Sequence, residues 1–376
     1  MSSEQEVIER ASSWCASNGI LMGSSGNKQH AYVYEPAPFS LHPTPYPNAA
    51  FDAAYNLSKP FNQMVHKVAE SYSTWLRGAI DTAAKGDSDF TGKLVQLAEE
   101  VMQSDRVQKV VLGILRSDYM LHNDSYSPSY HGKIDADRIA STEFQGAIPL
   151  QVELNTIASS FGCLSSKITH MHQSLQELPY PQKVSNALIS ESSNYGVKLP
   201  ENGAGENIAD GIAAAVNEYN RQRKSYHTVK GEGDETNIES VVLMVIEEGD
   251  NNSCDQRDLE FLLQRNHQIR LIRRTLEQIA TTAKSSPQSI FEGKELLLPD
   301  GDKPMNKVVV AVAYFRAGYT PDHYPSDIQW KGRGIIEHSA AIKCPDIFYH
   351  LVGAKVSFAM FQCLNALYQQ YFDIFI

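Results

Sequence analysis

The chain has 376 residues, 42% of them hydrophobic and 20% charged, which is soluble globular composition long enough for two domains or one large one with an insertion. Its net charge of −11 argues against a general nucleic-acid binder, because no basic face outweighs it, while leaving small anionic substrates open. Cysteines at 15, 163, 254, 344 and 363 form no Cys-x-x-Cys pair, which suits a reducing compartment rather than a zinc ribbon or disulfide scaffold. Met1 to Val7 is polar, acidic and poor in arginine, so neither a secretory signal nor a mitochondrial presequence is expected and the location reads as cytosolic.

Taken in order, Val7, Ile8, Ala11 and Trp14 are spaced for an amphipathic helix over 4–17. Prolines 36, 38, 43, 45 and 47 predict an extended connection over 35–48. A long helical region is expected over 51–85, with Pro60 starting a helix after a turn at 56–58. Asp87 to Asp89 caps a further helix through Met102. Val107 to Leu115 is an apolar run, read as a strand that presents Arg116 at its C-terminal end, where α/β sheets bind ligands. A polar loop is expected over 122–143.

The stretch Gln151-Val-Glu-Leu-Asn-Thr-Ile-Ala-Ser-Ser-Phe-Gly162 is richer in chemistry. A strand has a side-chain period of two, so Glu153 and Asn155 share one face while Val152 and Leu154 anchor the other. A carboxylate beside an amide oxygen suits Mg²⁺, and the small-residue turn that follows lets backbone N–H groups approach an anion. Pattern alone favours the plainer reading, a half-buried strand with a wet outer face.

Beyond it, 167–178 reads as a helix whose His170 and His172, at i and i+2, do not face each other as metal ligands would. The region 179–206 is loop-rich, 207–223 helical, and the charged stretch 224–238 a candidate boundary. Ser240 to Ile246 is a continuous apolar run of the kind found in buried parallel strands. A polar loop at 247–254, a helix opened by Asp255-Gln256-Arg257, a short strand at 269–272, a helix at 275–283 and a buried strand at 307–315 follow. Strands with polar C-terminal ends alternating with helices predict a parallel sheet with a ligand edge. There is no Walker-type or dinucleotide glycine motif; Gly23 to Lys28 and Gly231 to Asp234 read as turns.

Arg116-Ser-Asp-Tyr-Met120, Gln151 to Gly162, Asp255-Gln-Arg257 and Tyr314-Phe-Arg-Ala-Gly-Tyr319, with Ala37-Pro-Phe39 and Lys343-Cys-Pro-Asp-Ile347, resemble in their order the eukaryotic-type glutathione synthetases over about 20–355. The resemblance implies an α/β, ATP-grasp-type ligase that joins γ-glutamylcysteine to glycine through an acyl phosphate, working as a cytosolic homodimer with no nucleic-acid or membrane partner. It implies Glu153 and Asn155 as Mg²⁺ ligands, with Glu153 and Lys355 contacting ATP. It places the dipeptide against Arg116, Ile157, Ala158, Ser159, Ser160, Asp250, Asn251, Asn252, Gln256, Arg316, Ala317, Gly318 and Tyr319, with the two arginines as carboxylate clamps. Ala317 departs from the family, which carries an acidic residue there, and the loop at 249–252 matches poorly. Each arginine, taken alone, also reads as a surface ion-pair partner.

The implied division is an N-terminal part at 1–237, a substrate-binding α/β domain at 238–350, and a return to the ATP-grasp region at 351–355. The glycine-rich lid, further ATP lysines and final substrate arginine of the family have no counterpart, so the ATP-grasp unit is expected to be incomplete. The stretch 356–376 has no Lys or Arg and too many polar residues for a membrane span. It reads as a short helix on the open sheet or as translated intron, since Lys-Val-Ser at 355–357 is one translation of an exon end followed by a splice-donor consensus. A truncated form that binds the dipeptide or pairs with full-length subunits, and a ligase with another acceptor amino acid, stay open.

Overall fold

The structure is a computed structural model that describes residues 3–24, 33–41, 43, 46–104, 108–122, 147–176, 199–230, 238–285, 293–301 and 303–354. It opens with helix α1 (Ser3–Asn18), the short strands β1 (Leu21–Gly23) and β2 (Tyr34–Pro36), and helix α2 (Asn48–Glu70). A π-helical turn at Tyr72–Leu76 leads into short helices α3 (Arg77–Ala79) and α4 (Asp81–Gly86). Asp87 then accepts from the backbone N–H groups of Phe90 and Thr91, as its capping role predicts, and starts the run that becomes α5 (Lys93–Gln103). Leu94, Val95, Leu97, Ala98 and Val101 of α5 pack on Val65 and Ala69 of α2 in a helical cluster.

A two-stranded antiparallel ribbon, β3 (Arg116–His122) and β4 (Ile148–Asn155), stands beside this cluster and feeds helix α6 (Gly162–Gln176). The main sheet follows helix α7 (Ala204–Lys230). Its strands are β5 (Ser240–Val245), β6 (Leu271–Arg274), β7 (Lys284–Ser285), β8 (Leu296–Asp300), β9 (Lys303–Phe315) and β10 (Ile342–Cys344), in the order β6-β5-β9-β8-β7 with β10 also on β9. Helices α8 (Ser253–His267), α9 (Leu276–Thr282), α10 (Asp327–His338) and α11 (Ile347–Val352) are the remaining described helices of the α type.

Alternation along β5 builds the layers. Val242 and Met244 face a core closed by α7 and α8, while Val241, Leu243 and Val245 face one closed by α9 and α10. With both faces covered, apolar residues fill every position from Val241 to Val245, which is why the strand reads as a continuous apolar run. Capping boxes start two helices on one side: Thr275 with Gln278 for α9, and Ser326 with Gln329 for α10. No described helix is long and apolar enough to cross a membrane.

Four expectations need correction. Pro60 lies inside α2 instead of starting a helix; the carbonyl it deprives of a partner belongs to Asn56, which is exposed and open to water. The run ending at Leu115 makes one bridge, Val111 to Lys343, because β10 is only three residues long; the regular strand begins at Arg116. The helix over 207–223 continues to Lys230, into the stretch proposed as a boundary. The sheet is mixed, not parallel: β5, β6, β9 and β10 run parallel, β8 turns back antiparallel to β9, and β7 pairs antiparallel with β8. The expected loops at 123–143 and 179–198, the glycines at 231 and 233, most of 23–28, Lys355 and 356–376 lie outside the described residues.

Candidate functional site

The ribbon departs from simple alternation in a way that shapes the site. Asp118 pairs with Glu153 but Tyr119 pairs with Gln151, so Val152 is an extra residue and β4 bulges there. Arg116, Asp118, Met120 and His122 therefore share a face with Asn155, Glu153, Leu150 and Ile148. Leu154 alone of the expected anchor pair is buried; Val152 is 51% exposed, because the bulge lifts it out of the ladder. The exposed face thus runs from charged and amide groups at one end to Met120, Leu150 and Ile148 at the other.

At the polar end, Arg116 forms a two-pronged pair with Asp118, both contacts 2.8 Å, and Asn155 donates its side-chain N–H to Asp118 at 3.3 Å. Hydrogen bonding to Asp118 holds the Arg116 pKa above the ordinary arginine value. Donation through nitrogen leaves the Asn155 amide oxygen for another partner, beside the exposed Glu153 carboxylate. Among the described residues no group of three or more His, Cys, Asp or Glu side chains is placed to hold a metal ion. A carboxylate with one amide oxygen nevertheless fits Mg²⁺, which keeps several waters and completes its octahedron with phosphate oxygens.

After Asn155 the chain turns. Ala158 and Phe161 adopt left-handed φ of 52° and 68°, and Ser159 donates its hydroxyl to the carbonyls of Ile114 and Asn155. The turn is closed from outside by Gly353, just past α11, where an added Cβ would come within 2.2 Å of the Thr156 hydroxyl oxygen. Thr156 and Gly353 need each other's small size.

The residue that gathers the second half of the site is Asp255. One of its oxygens accepts from the backbone N–H groups of Cys163 and Leu164, the other from Phe161 N–H and from Arg316 at 3.1 Å. It thus holds the first turn of α6 and neutralises the arginine at the end of β9. Both charges are buried. Burial works against the Arg316 charge, yet Tyr314 and Asp255 together hold its pKa above the ordinary value. The Tyr314 hydroxyl in turn donates to the Ser159 carbonyl at 3.4 Å, tying β9 to the turn. Burial, with Asp255 and Asp258 nearby, pushes the Cys163 thiol up to about 12, so it is no nucleophile at neutral pH.

Next to Asp255, Gln256 is fully buried and donates to Asp250 at 2.6 Å while accepting from Arg273. Asp250 also accepts from Asn252 N–H, and the Asn251 carbonyl accepts from Gly23 N–H. The expected turn at 316–319 is shaped by Gly318, at φ 89°, whose N–H donates to His323 and whose carbonyl accepts from Tyr324. Ala317 is buried, and Tyr319 is exposed against the His323 ring.

The predicted residues therefore fall into two connected groups. Arg116, Glu153 and Asn155 lie on the ribbon; residues 157–160, Asp250, Asn251, Asn252, Gln256 and Arg316 to Tyr319 surround Asp255 and the end of the main sheet. Sequence reasoning assigned no role to Asp255, Arg273 or the buried Arg333–Glu337 pair behind Gly318. Asp255 stood in a quoted motif, whereas an ordinary Arg-Arg strand end and a helical Arg at i, Glu at i+4 spacing gave the others no distinguishing signal.

Residues 1–354 match the family model described as eukaryotic glutathione synthase, ATP binding domain. The chain belongs to that family. The match starts at residue 1, ahead of the expected residue 20. Among glutathione synthetases, that of Dictyostelium discoideum is 33% identical over 93% of this chain and 63% of its own length. The chloroplastic enzyme of Solanum lycopersicum is 29% identical over 93% and 54%, and that of Bos taurus 29% over 93% and 61%. The chain spans less than two thirds of the length of each. In fold it is similar to a solved glutathione synthetase-like effector of Globodera pallida in its apo form, with a TM-score of 0.62 at 20% identity, over 95% of this chain and 65% of the other.

Proposed function

We propose that this chain serves ATP- and Mg²⁺-dependent ligation of γ-glutamylcysteine to glycine, in glutathione biosynthesis, on an ATP-grasp-type scaffold. The observation that carries this reading is the Asp255 junction. It draws the 157–160 turn, Arg316 and Gln256 into one connected site, and β4 with Glu153 and Asn155 runs straight into it. Family membership supplies the chemistry that this arrangement would serve.

In this reading the cysteinyl carboxylate lies at the 157–160 turn and takes the γ-phosphoryl group of ATP; the glycine amine then displaces phosphate. Glu153 and the Asn155 amide oxygen would hold Mg²⁺, which neutralises phosphate charge when bound. Arg116, kept in place by Asp118, would present its guanidinium edge on the same face. Met120, Leu150 and Ile148 offer an apolar floor on the same face, suited to a flat base whose phosphates point toward Glu153. Catalysis of phosphoryl transfer is chiefly positioning and charge stabilisation, and rigidly partnered side chains supply both.

Phosphate release by the purified protein with γ-glutamylcysteine, glycine and MgATP tests the proposal. Release that needs both amino-acid substrates and disappears in Glu153→Ala supports it. Dipeptide binding with no release, under conditions where a full-length relative turns over, overturns the ligase reading in favour of a dipeptide-binding protein.

A further inference from the structure

The turn at 316–319 is closed by the residues that follow it. Gly318 is pinned on both sides: its carbonyl accepts from the Tyr324 hydroxyl at 3.0 Å, and its N–H donates to Nδ1 of His323, also at 3.0 Å. The two clamps differ in kind. Tyr324 is buried and stacked on Trp330, with ring centroids 4.0 Å apart, so the carbonyl side belongs to the framework. His323 is only partly buried and ends a single 3₁₀ turn, Pro321–His323, whose proline fixes the bend that carries the ring. The Thr320 hydroxyl comes within 3.2 Å of the same Nδ1, and the ring meets that of Tyr319 edge-on at 4.9 Å.

A backbone N–H can only donate, so the contact with Gly318 fixes the state of the imidazole: Nδ1 is the bare, accepting nitrogen and the ring proton sits on Nε2. Charging the ring would place a second proton on Nδ1, facing the Gly318 proton, and the bond would be lost. The surroundings pull both ways. Burial holds His323 below its ordinary pKa of 6.5, against the carboxylates of Glu247 and Asp250 on the loop after β5 and of Asp322 on its own turn, which favour the charged form. The neutral ring therefore prevails at pH 7, and the N–H side of Gly318 is the one that a proton can undo.

We propose that His323 is a positioning residue for γ-glutamylcysteine: its bare Nδ1 holds the Gly318 amide and its ring holds Tyr319, so that the turn meets the dipeptide already shaped. This rests on the function proposed above, in which residues 316–319 line the dipeptide. His323 touches no substrate in this reading and acts through its two neighbours. A turn that has to order itself on binding loses affinity, and His323 removes that loss.

The test is calorimetric binding of γ-glutamylcysteine between pH 7 and pH 5 to wild type, His323→Ala and His323→Asn, with amide exchange at Gly318 followed in the free proteins. Asparagine offers an amide oxygen near the position of Nδ1 and does not titrate. At pH 7, His323→Ala should bind about three- to tenfold more weakly, the effect of one hydrogen bond, and exchange the Gly318 amide faster, while His323→Asn stays close to wild type. On lowering the pH, wild type should lose affinity relative to His323→Asn by a similar factor; titration of the dipeptide itself is common to both. If His323→Ala binds as wild type does, or wild type and His323→Asn weaken in parallel, His323 does not position the dipeptide and the proposed function stands. If wild type binds no dipeptide at any pH, even though Gly318 exchange responds as expected, the dipeptide reading itself falls, and this assignment with it.

Discussion

The ribbon and the main sheet answer the same demand, holding charged groups near a ligand, in opposite ways. On the ribbon, the Arg116–Asp118 pair is half-exposed and its geometry is local, two residues apart on one strand. At the sheet, Arg316 and Asp255 come from distant elements, meet in the interior, and draw in three backbone amides. A half-exposed pair is screened by water and contributes little to stability. A buried pair is costly to assemble and worse to break, so it fixes geometry instead. Adaptable binding chemistry sits on the ribbon, and the rigid framework lies at the sheet.

That contrast is sharpest when the buried pair is broken. Asp255→Asn removes the counter-charge of Arg316, and the expected loss is about 3–5 kcal/mol in denaturant unfolding. The double variant Asp255→Asn/Arg316→Met should recover part of it. Equal stability of wild type and Asp255→Asn would erase the distinction between the two regions.

A smaller effect is expected one turn further on. A Cβ at Gly318 would meet the Tyr324 hydroxyl at 2.9 Å, in a backbone conformation that side chains avoid. Gly318→Ala should cost about 1–3 kcal/mol, measured as a shift in the denaturant midpoint. Behind it Arg333, fully buried, donates to Glu337 at 2.9 Å and lies 4.0 Å over the Phe315 ring. A pH effect is expected on this side of the molecule. Burial, and then the Arg333 charge, hold His350 well below its ordinary pKa of 6.5. The unfolded chain therefore binds the proton first as pH falls, and stability present above 6.5 should decline by about 1.4 kcal/mol per pH unit below it. His350→Gln should flatten that slope in unfolding measured from pH 7 to 5.

The ribbon should give the smallest stability change and a selective functional one. Leu150→Ser on the exposed face is expected to leave stability within about 0.5 kcal/mol. It should weaken nucleotide binding severalfold, read by titration with a fluorescent ATP analogue. A change in stability without one in nucleotide affinity would move Leu150 from the ligand face to the framework.

The legible and illegible parts of the sequence divide along the same line. The strands β5 and β9 were readable because burial on both faces leaves an uninterrupted apolar run, and Asp87 announced a helix by local capping chemistry. Local periodicity also placed Glu153 and Asn155 on one face. It missed the bulge at Val152, since an extra residue in a ladder is defined by the partner strand. The mixed sheet escaped for a related reason: β8 is short, and only its pairing with β9 sets its direction. Arg316 was found through a motif, but its partner Asp255 stands 61 residues away and is joined to it only by the fold.

Asp255 divides one carboxylate between a charge and the opening of a helix, and this makes the two interdependent. A carboxylate that settles on the 157–160 turn steadies Phe161 and, through Asp255, the amides of α6. By reciprocity, whatever tightens those amides favours the incoming anion. Amide hydrogen exchange at Cys163 and Leu164 should therefore slow when γ-glutamylcysteine binds, and unchanged exchange would sever the link. The helix start is then a gauge of occupancy, reporting a ligand that it never touches.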